Sequence, residues 1–522
     1  MKTFNYGADN LTSSLAMLIA TNKVKAELNE DTKKKIKQSA SYVQEIVDAG
    51  ETVYGINTGF GPLCTTLIDA NDTRKLQENI LKSHAVGMGE PINMELAKLM
   101  MILKVHALAK GFSGVQLTTV ERIIWFIEQD IIPLVPKQGS VGASGDLAPL
   151  SHLFLPLIGL GRVSHKGKVF KTQEILDQHK LEPINLGAKE GLALINGTQF
   201  MAAHGVKAVV EMQRLMSNAD LIATMMLEGL NGSIKPFFSE LHQLRPYKGN
   251  VFVASTIFNL LKDSEILNSH KNCSRVQDPY SLRCIPQIHG ASRNAWLHLK
   301  EIIETEINAV TDNPIIINAQ LTISGGSFHG QPIALPLDYA TLAVSEMGNV
   351  SDRRVYLSLD SNTPNVPKLL LKSTGLNSGF MILQYTTAAL ASENKGLCFP
   401  ASADSIPTSL GQEDHVSMGS ISGRKLLQVL DNVDKILSIE LICAAQGMDF
   451  HKPLKSTPIV EAVHAHVRKH IPHIEEDQAM EEILSAALSL VKSGALIEQA
   501  NNTALALKLP YSGKGANYFE NF

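Results

Sequence analysis

The chain has 522 residues, of which 44% are hydrophobic and 19% charged, with 47 Lys and Arg against 51 Asp and Glu. That length exceeds the usual single domain, and that composition can bury a large core, which excludes a disordered chain. A net charge of -4 supplies no basic field for a phosphate backbone, so nucleic acid is not an expected partner.

From the N-terminus, the best apolar stretch, Leu15 to Ala20, is too short for a signal-peptide core and has no cleavage site behind it. No run of 18 apolar residues follows anywhere, so no membrane span or membrane partner is expected. Lys33-Lys34-Lys35 is most simply an exposed helix face. Tyr54 to Pro62 is glycine-rich and irregular, the kind of loop in which function concentrates. Asp72 to Ala85 then places Leu76, Ile80, Leu81 and His84 on one broad face at helical spacing, and Glu95 to Ala109 and Val115 to Glu128 repeat the pattern. Gly139 to Gly145 is a second glycine-rich loop. Arg162 to Phe170 predicts a hairpin turning at Lys166-Gly167. Gly159-Leu160-Gly161 is followed by Ser164 where a dinucleotide fingerprint needs glycine.

Helical periodicity resumes over Glu190 to Met216, Gln287 to Val310, Leu337 to Leu357, Ser420 to Gln446 and Glu481 to Ala500, lengths that suit a bundle. Pro314 to Ile323 predicts a small hairpin near Asn318. The expected fold is therefore mainly α, with a mixed N-terminal domain over residues 1–200 and a long-helix bundle over 201–522. Cys64, Cys273, Cys284, Cys398 and Cys443 are scattered and without CxxC spacing. They predict reduced thiols and a cytoplasmic location, with no glycan on the sequon Asn196-Gly197-Thr198. His464, His466, His470 and His473 include an i, i+4 pair, but no HExxH or acidic ligand accompanies it, so a solvated helix face is expected and no metal site.

The stretch Gly139-Ser140-Val141-Gly142-Ala143-Ser144-Gly145-Asp146-Leu147-Ala148-Pro149-Leu150 carries the most information. A helix should start after Gly145, because Asp146 is a good cap and Pro149 is tolerated where first-turn amides lack partners. A GxSxG elbow would need glycine where Asp146 stands. A glycine-rich turn is the plain alternative.

Within Gly142-Ala143-Ser144-Gly145-Asp146-Leu147, the Ala143-Ser144-Gly145 triplet resembles the electrophile motif of the histidine and aromatic amino-acid ammonia-lyases. The resemblance extends to Tyr54-Gly55-Ile56-Asn57-Thr58-Gly59-Phe60-Gly61, Ser83-His84-Ala85, Ile195-Asn196-Gly197-Thr198, Gln277 to Cys284, Phe328-His329-Gly330 and Gln412 to Met418, in that order. It implies a fumarase/aspartase-like bundle, although the GSSxMPxKxN signature of the fumarase-type lyases is absent. It also implies that Ala143, Ser144 and Gly145 cyclise and dehydrate to a methylidene-imidazolone, with no dissociable cofactor. By resemblance the further catalytic candidates are Tyr54, as base, with Tyr280 and Glu413. His84, Asn196, Gln277, Arg283 and Phe328 would bind substrate, Arg283 clamping its carboxylate and Asn196 meeting the imidazolone oxygen.

The implied reaction is elimination of ammonia from an amino acid. Glu413 and His84 favour histidine, yielding urocanate, because a carboxylate and an imidazole satisfy both nitrogens of the substrate ring. Gln331 stands where many histidine members have glutamate, and Ser327 where asparagine is frequent. Tyrosine or phenylalanine as substrate, and a non-catalytic scaffold with a lyase fold, are the alternatives. The family's sites are assembled from more than one chain, which implies a homotetramer.

Overall fold

The computed structural model describes residues 3–50, 52–56, 58–59, 61, 72–270, 276–360, 362–511 and 519. Asn57 and Phe60 of the Tyr54–Gly61 motif, and Cys64 and Cys273, lie outside them. Helix dominates, as expected, and the few strands form two- and three-stranded sheets.

Two compact units emerge: residues 1–207 with 299–338 and 400–424, and residues 208–298 with 339–399 and 425–522. A single cut near residue 200 does not describe them, because two later stretches return to the first unit.

In the first unit, Met94–Leu108 is buried from Leu96 to Leu108, with Lys98, Lys104 and His106 among the buried residues, so it forms core and not an amphipathic surface helix. Around it, Glu30–Ala49 begins at Asn29, whose side chain accepts the Thr32 amide, and ends at Gly50 in the left-handed region. Thr73–His84 buries Ile80 and Leu81, as its periodicity requires, while Leu76 and His84 are half-buried. Both predicted hairpins form: Arg162–His165 pairs antiparallel with Lys168–Lys171, and Ile315–Asn318 with Leu321–Ile323.

Two expected helices are interrupted. Glu190 to Met216 becomes Glu190–Ile195 and Gln199–Gly229, because Gly197, at φ 132°, turns the chain between them. Glu481 to Ala500 becomes Glu481–Ser493 and Ala495–Leu507, broken at the left-handed Gly494. Among the described residues no single helix is long and apolar enough to cross a membrane.

The second unit is organised around buried charge. Asp220 accepts from Arg293 at 2.5 Å and pairs with His289 at 2.7 Å, and Arg354 pairs with Glu440. Its histidine helix, Pro458–His470, is not simply a solvated face, because His464 is buried and lies 3.3 Å from Asp449. His473 and Arg468 meet the same carboxylate.

Candidate active site

The glycine-rich loop ahead of Leu147–Phe154 packs so closely that side chains are excluded at two positions. Gly142 has φ 72°, and a Cβ there would lie 2.2 Å from Ser417 Oγ. Gly145 has φ 74°, and a Cβ there would lie 2.1 Å from the Gly197 carbonyl oxygen. Both positions combine left-handed backbone with contact distances that only glycine allows.

What presses against Gly145 is the break between the two helices. Gly145 and Gly197 form an isolated parallel bridge, and the Asp146 amide donates to the Gly197 carbonyl at 2.7 Å. In return the Gly197 amide donates to the Ser144 carbonyl oxygen at 3.3 Å, and Asn196 Nδ2 donates to the same oxygen at 3.1 Å. Two donors thus converge on one carbonyl, the arrangement that stabilises negative charge developing on oxygen. Had Asn196 continued a helix, neither donor would face that oxygen.

Asp146 does not cap its own helix with its side chain. Its Oδ2 instead accepts the Phe200 and Met201 amides, each at 3.0 Å, in the first turn of Gln199–Gly229. Ser140 Oγ donates to Oδ1 at 3.2 Å. Burial pushes this carboxyl up to about 7 despite those donors.

A cleft of about 440 Å³ opens in front of the loop. It is lined by Tyr54, Ala143, Ser144, Asn196, Phe328 and Glu413, six of the residues singled out from sequence. Ser144 Oγ donates to Glu413 Oε1 at 3.0 Å, while Thr408 Oγ1 and Ser409 Oγ donate to Oε2 at 2.8 and 2.7 Å. The half-buried Tyr54 accepts the Gly61 amide on its phenolic oxygen at 3.4 Å. His84 is half-buried and its Nδ1 lies 2.9 Å from Ser83 Oγ. Burial lowers its pKa, and the Ile80 carbonyl and the Glu413 charge oppose that shift. Burial thus disfavours the imidazolium form of His84, against the pull of the Glu413 charge.

Five predicted residues are not in this lining: His84, Gly145 (packed against Gly197) and three on other elements. Gln277, Tyr280 and Arg283 belong to the second unit. Gln277 and Tyr280 are exposed, and the Arg283 guanidinium lies over the Tyr280 ring at 4.7 Å. Arg283 Nε makes no hydrogen bond among the described residues.

The cleft also contains residues to which the sequence assigned no role. His329 and His415 have ring centroids 5.7 Å apart, and His329 Nε2 lies 3.3 Å from the His415 carbonyl. Asn313 fastens the wall, donating to Ser324 Oγ at 3.0 Å and accepting the Gly325 amide at 2.7 Å. The two histidines adjoin Phe328 and follow Glu413 closely, which was the available signal. Among the described residues no three His, Cys, Asp or Glu side chains gather as a metal ion requires.

Comparison with known proteins matches residues 11–469 to the family model described as aromatic amino acid lyase. A histidine ammonia-lyase of Myxococcus xanthus is 43% identical over 490 residues, 94% of this chain and 96% of that protein. The crystal structure of histidine ammonia-lyase from Trypanosoma cruzi superposes with a TM-score of 0.90 at 38% identity, covering 99% of this chain and 97% of that one. A tyrosine aminomutase from Streptomyces globisporus superposes with a TM-score of 0.91 at 30% identity, covering 96% and 99%.

Proposed function

The chain belongs to the aromatic amino acid lyase family, and we propose that it deaminates histidine to urocanate and ammonia at the Ser144 cleft. The observation that carries the electrophile reading is the pair of donors on the Ser144 carbonyl, set against a Gly145 that cannot accept a side chain.

The Ala143-Ser144-Gly145 backbone fits a methylidene-imidazolone. Attack of the Gly145 nitrogen on the Ala143 carbonyl carbon forms the ring bond, and the Ala143 oxygen leaves as water with the two amide protons of Ser144 and Gly145. Ser144 then loses Oγ and its Cα proton as a second water. The oxygen remaining on the ring is that of Ser144, so Asn196 and Gly197 already hold it. Once formed, the group supplies an electrophilic carbon for the substrate amine, making it a better leaving group.

The other roles follow from the cleft wall. Tyr54 removes the β-proton, for which its phenol must be held as phenolate in the closed site. Of the two Glu413 oxygens, Oε2 is occupied by Thr408 and Ser409, whereas Oε1 holds the hydroxyl that departs with the second water. Its loss leaves Oε1 to accept from an imidazole N–H, with His84 near the other ring nitrogen. Phe328 packs on the ring. Gln277, Tyr280 and the Arg283 guanidinium serve the carboxylate end from another copy, within a homotetramer. The free thiols Cys284, Cys398 and Cys443 accord with a reducing cytoplasm.

Intact mass and product analysis test the reading together. The folded chain should be lighter than its sequence by two waters, and histidine should yield urocanate by ultraviolet absorbance, with tyrosine and phenylalanine nearly inert. Ser144→Ala should abolish both mass loss and turnover. An unmodified mass would favour a scaffold, and a β-amino acid product would place the chain with the aminomutases.

A further inference from the structure

Lys104 lies in the middle of Met94–Leu108, the helix buried on nearly every side, and is itself 1% exposed. An ammonium in such a place is costly unless its donors are used. Its hydrogen-bond partners are both neutral: the Asn196 carbonyl at 2.6 Å and Gln199 Oε1 at 3.4 Å. The carboxylate of Asp312, which contributes to its field, is taken by Lys189 at 2.8 Å and Ser113 at 2.8 Å.

The carbonyl that Lys104 holds belongs to the peptide group whose N–H points at the electrophile. Asn196 C=O and Gly197 N–H are the two ends of one resonant amide, and that N–H donates to the Ser144 oxygen. A cation on the oxygen end draws density from the nitrogen end, and hydrogen bonds in series strengthen one another in a low-dielectric interior. We infer that Lys104 is a positioning residue for the electrophile: through the Asn196–Gly197 peptide its charge strengthens the hydrogen bond on the Ser144 oxygen, promoting both ring formation and the reactivity of the finished group. The inference rests on the electrophile reading above.

The same contact fixes the strap mechanically. Asn196 is gripped from below by Lys104, and Thr198 donates to Glu306 Oε1 at 2.5 Å, so the residues on either side of Gly197 are both anchored. Burial lowers the Lys104 pKa to about 7, with Asp312 and Asp146 opposing the shift and Lys189 adding to it. The ammonium is therefore sensitive to its surroundings, and a neighbouring charge should alter its effect.

Two variants separate the charge from the packing. Lys104→Met removes the ammonium and keeps the stem. Gln199→Glu changes no volume and sets a carboxylate against the same ammonium, reducing the charge felt by the Asn196 carbonyl. Each full-length variant is folded, its intact mass followed over time, and the mature fraction treated with cyanide at one fixed pH well below 7, where Lys104 of the parent chain is already an ammonium. Cyanide adds as HCN, carbon to the methylidene carbon and proton to the ring, and is read as added mass. Lys104→Met should mature more slowly, and its mature chains should take up cyanide about tenfold more slowly, below the loss expected from deleting a direct donor. Gln199→Glu should fall between it and the parent chain. Adduct rates per mature chain equal to the parent in both variants would overturn the inference, since a purely structural role changes yield and not reactivity. If Lys104→Met does not fold, Gln199→Glu alone decides. A parent chain with no mass loss overturns the electrophile reading itself, and the inference with it.

Discussion

At Tyr54 the phenolic oxygen already accepts one backbone amide, from Gly61. Tyr54→Phe keeps the ring and deletes that oxygen. If Tyr54 is the base, kcat should drop by about 10²–10⁴ while the two-water mass loss persists. Near-normal turnover would move the base elsewhere, with Glu413 the next candidate. Glu413→Gln probes recognition: the amide can pair with one imidazole nitrogen but carries no charge. Histidine kcat/KM should fall sharply, and the discrimination against phenylalanine, about 10⁴ where a polar edge must be satisfied, should shrink with it. A parent chain that prefers tyrosine would sink the histidine assignment and leave the lyase chemistry standing. These residues could be found from sequence because each is a chemical type in a fixed motif. What the motifs could not give is which Glu413 oxygen is committed to Thr408 and Ser409, and that depends on the fold of residues 408–413.

Among the elements, the three-residue break between Glu190–Ile195 and Gln199–Gly229 does most to build the site. Helical periodicity runs straight through it in the sequence, since Leu194 with Met201 and Ile195 with Ala202 keep i, i+7 spacing and a lone glycine only weakens a helix. The break is imposed by tertiary contact with Gly145, which no local pattern encodes. Gly197→Ala tests it. At φ 132° a Cβ would lie 2.6 Å from Gln199 Oε1 and 2.9 Å from Thr311 Oγ1, so strain of about 1–3 kcal/mol is expected. Calorimetric stability and the extent of mass loss should therefore decline together. A destabilised variant that matures fully would show that the fine placement of the residue-197 amide does not control ring formation.

Asp146 is a cap, as its residue type suggests, but of a different helix from the one it precedes, because the amides it meets lie more than fifty positions further along the chain. It also sets a pH dependence. Its pKa is raised to about 7 from the ordinary aspartate value of 3.8, so between those limits the folded chain holds a proton that the unfolded chain has lost. Stability from this group therefore falls as pH rises through that window, by at most about 1.4 kcal/mol per unit. Asp146→Asn keeps an acceptor for Phe200 and Met201 and should remove that slope in denaturant titrations between pH 4 and 7. An unchanged slope would mean that Asp146 is ionised throughout.

For the whole molecule, the proposed carboxylate clamp has to reach the cleft from another copy. The mainly helical class was evident in the long periodic stretches, whereas the two units are not contiguous in sequence and so left no boundary to detect. Ser144 belongs to one unit and Arg283 to the other, and Arg283 is not among the residues that line the cleft. A homotetramer in which each cleft receives Arg283 from another copy makes a prediction that a self-contained chain does not. Ser144→Ala and Arg283→Met should each be nearly inactive alone. When the two chains are unfolded and refolded together, a cleft works if its Ser144 is intact and its neighbour supplies an intact Arg283. With random mixing, about a quarter of the clefts meet both conditions, so about a quarter of the parental rate should return. Refolding each variant separately and mixing afterwards should restore nothing, because the chains must exchange before assembly. If co-refolded chains form mixed assemblies by native mass measurement and remain inactive, each cleft draws on its own Arg283, and the shared-site arrangement fails even though the chemistry of Ser144 stands.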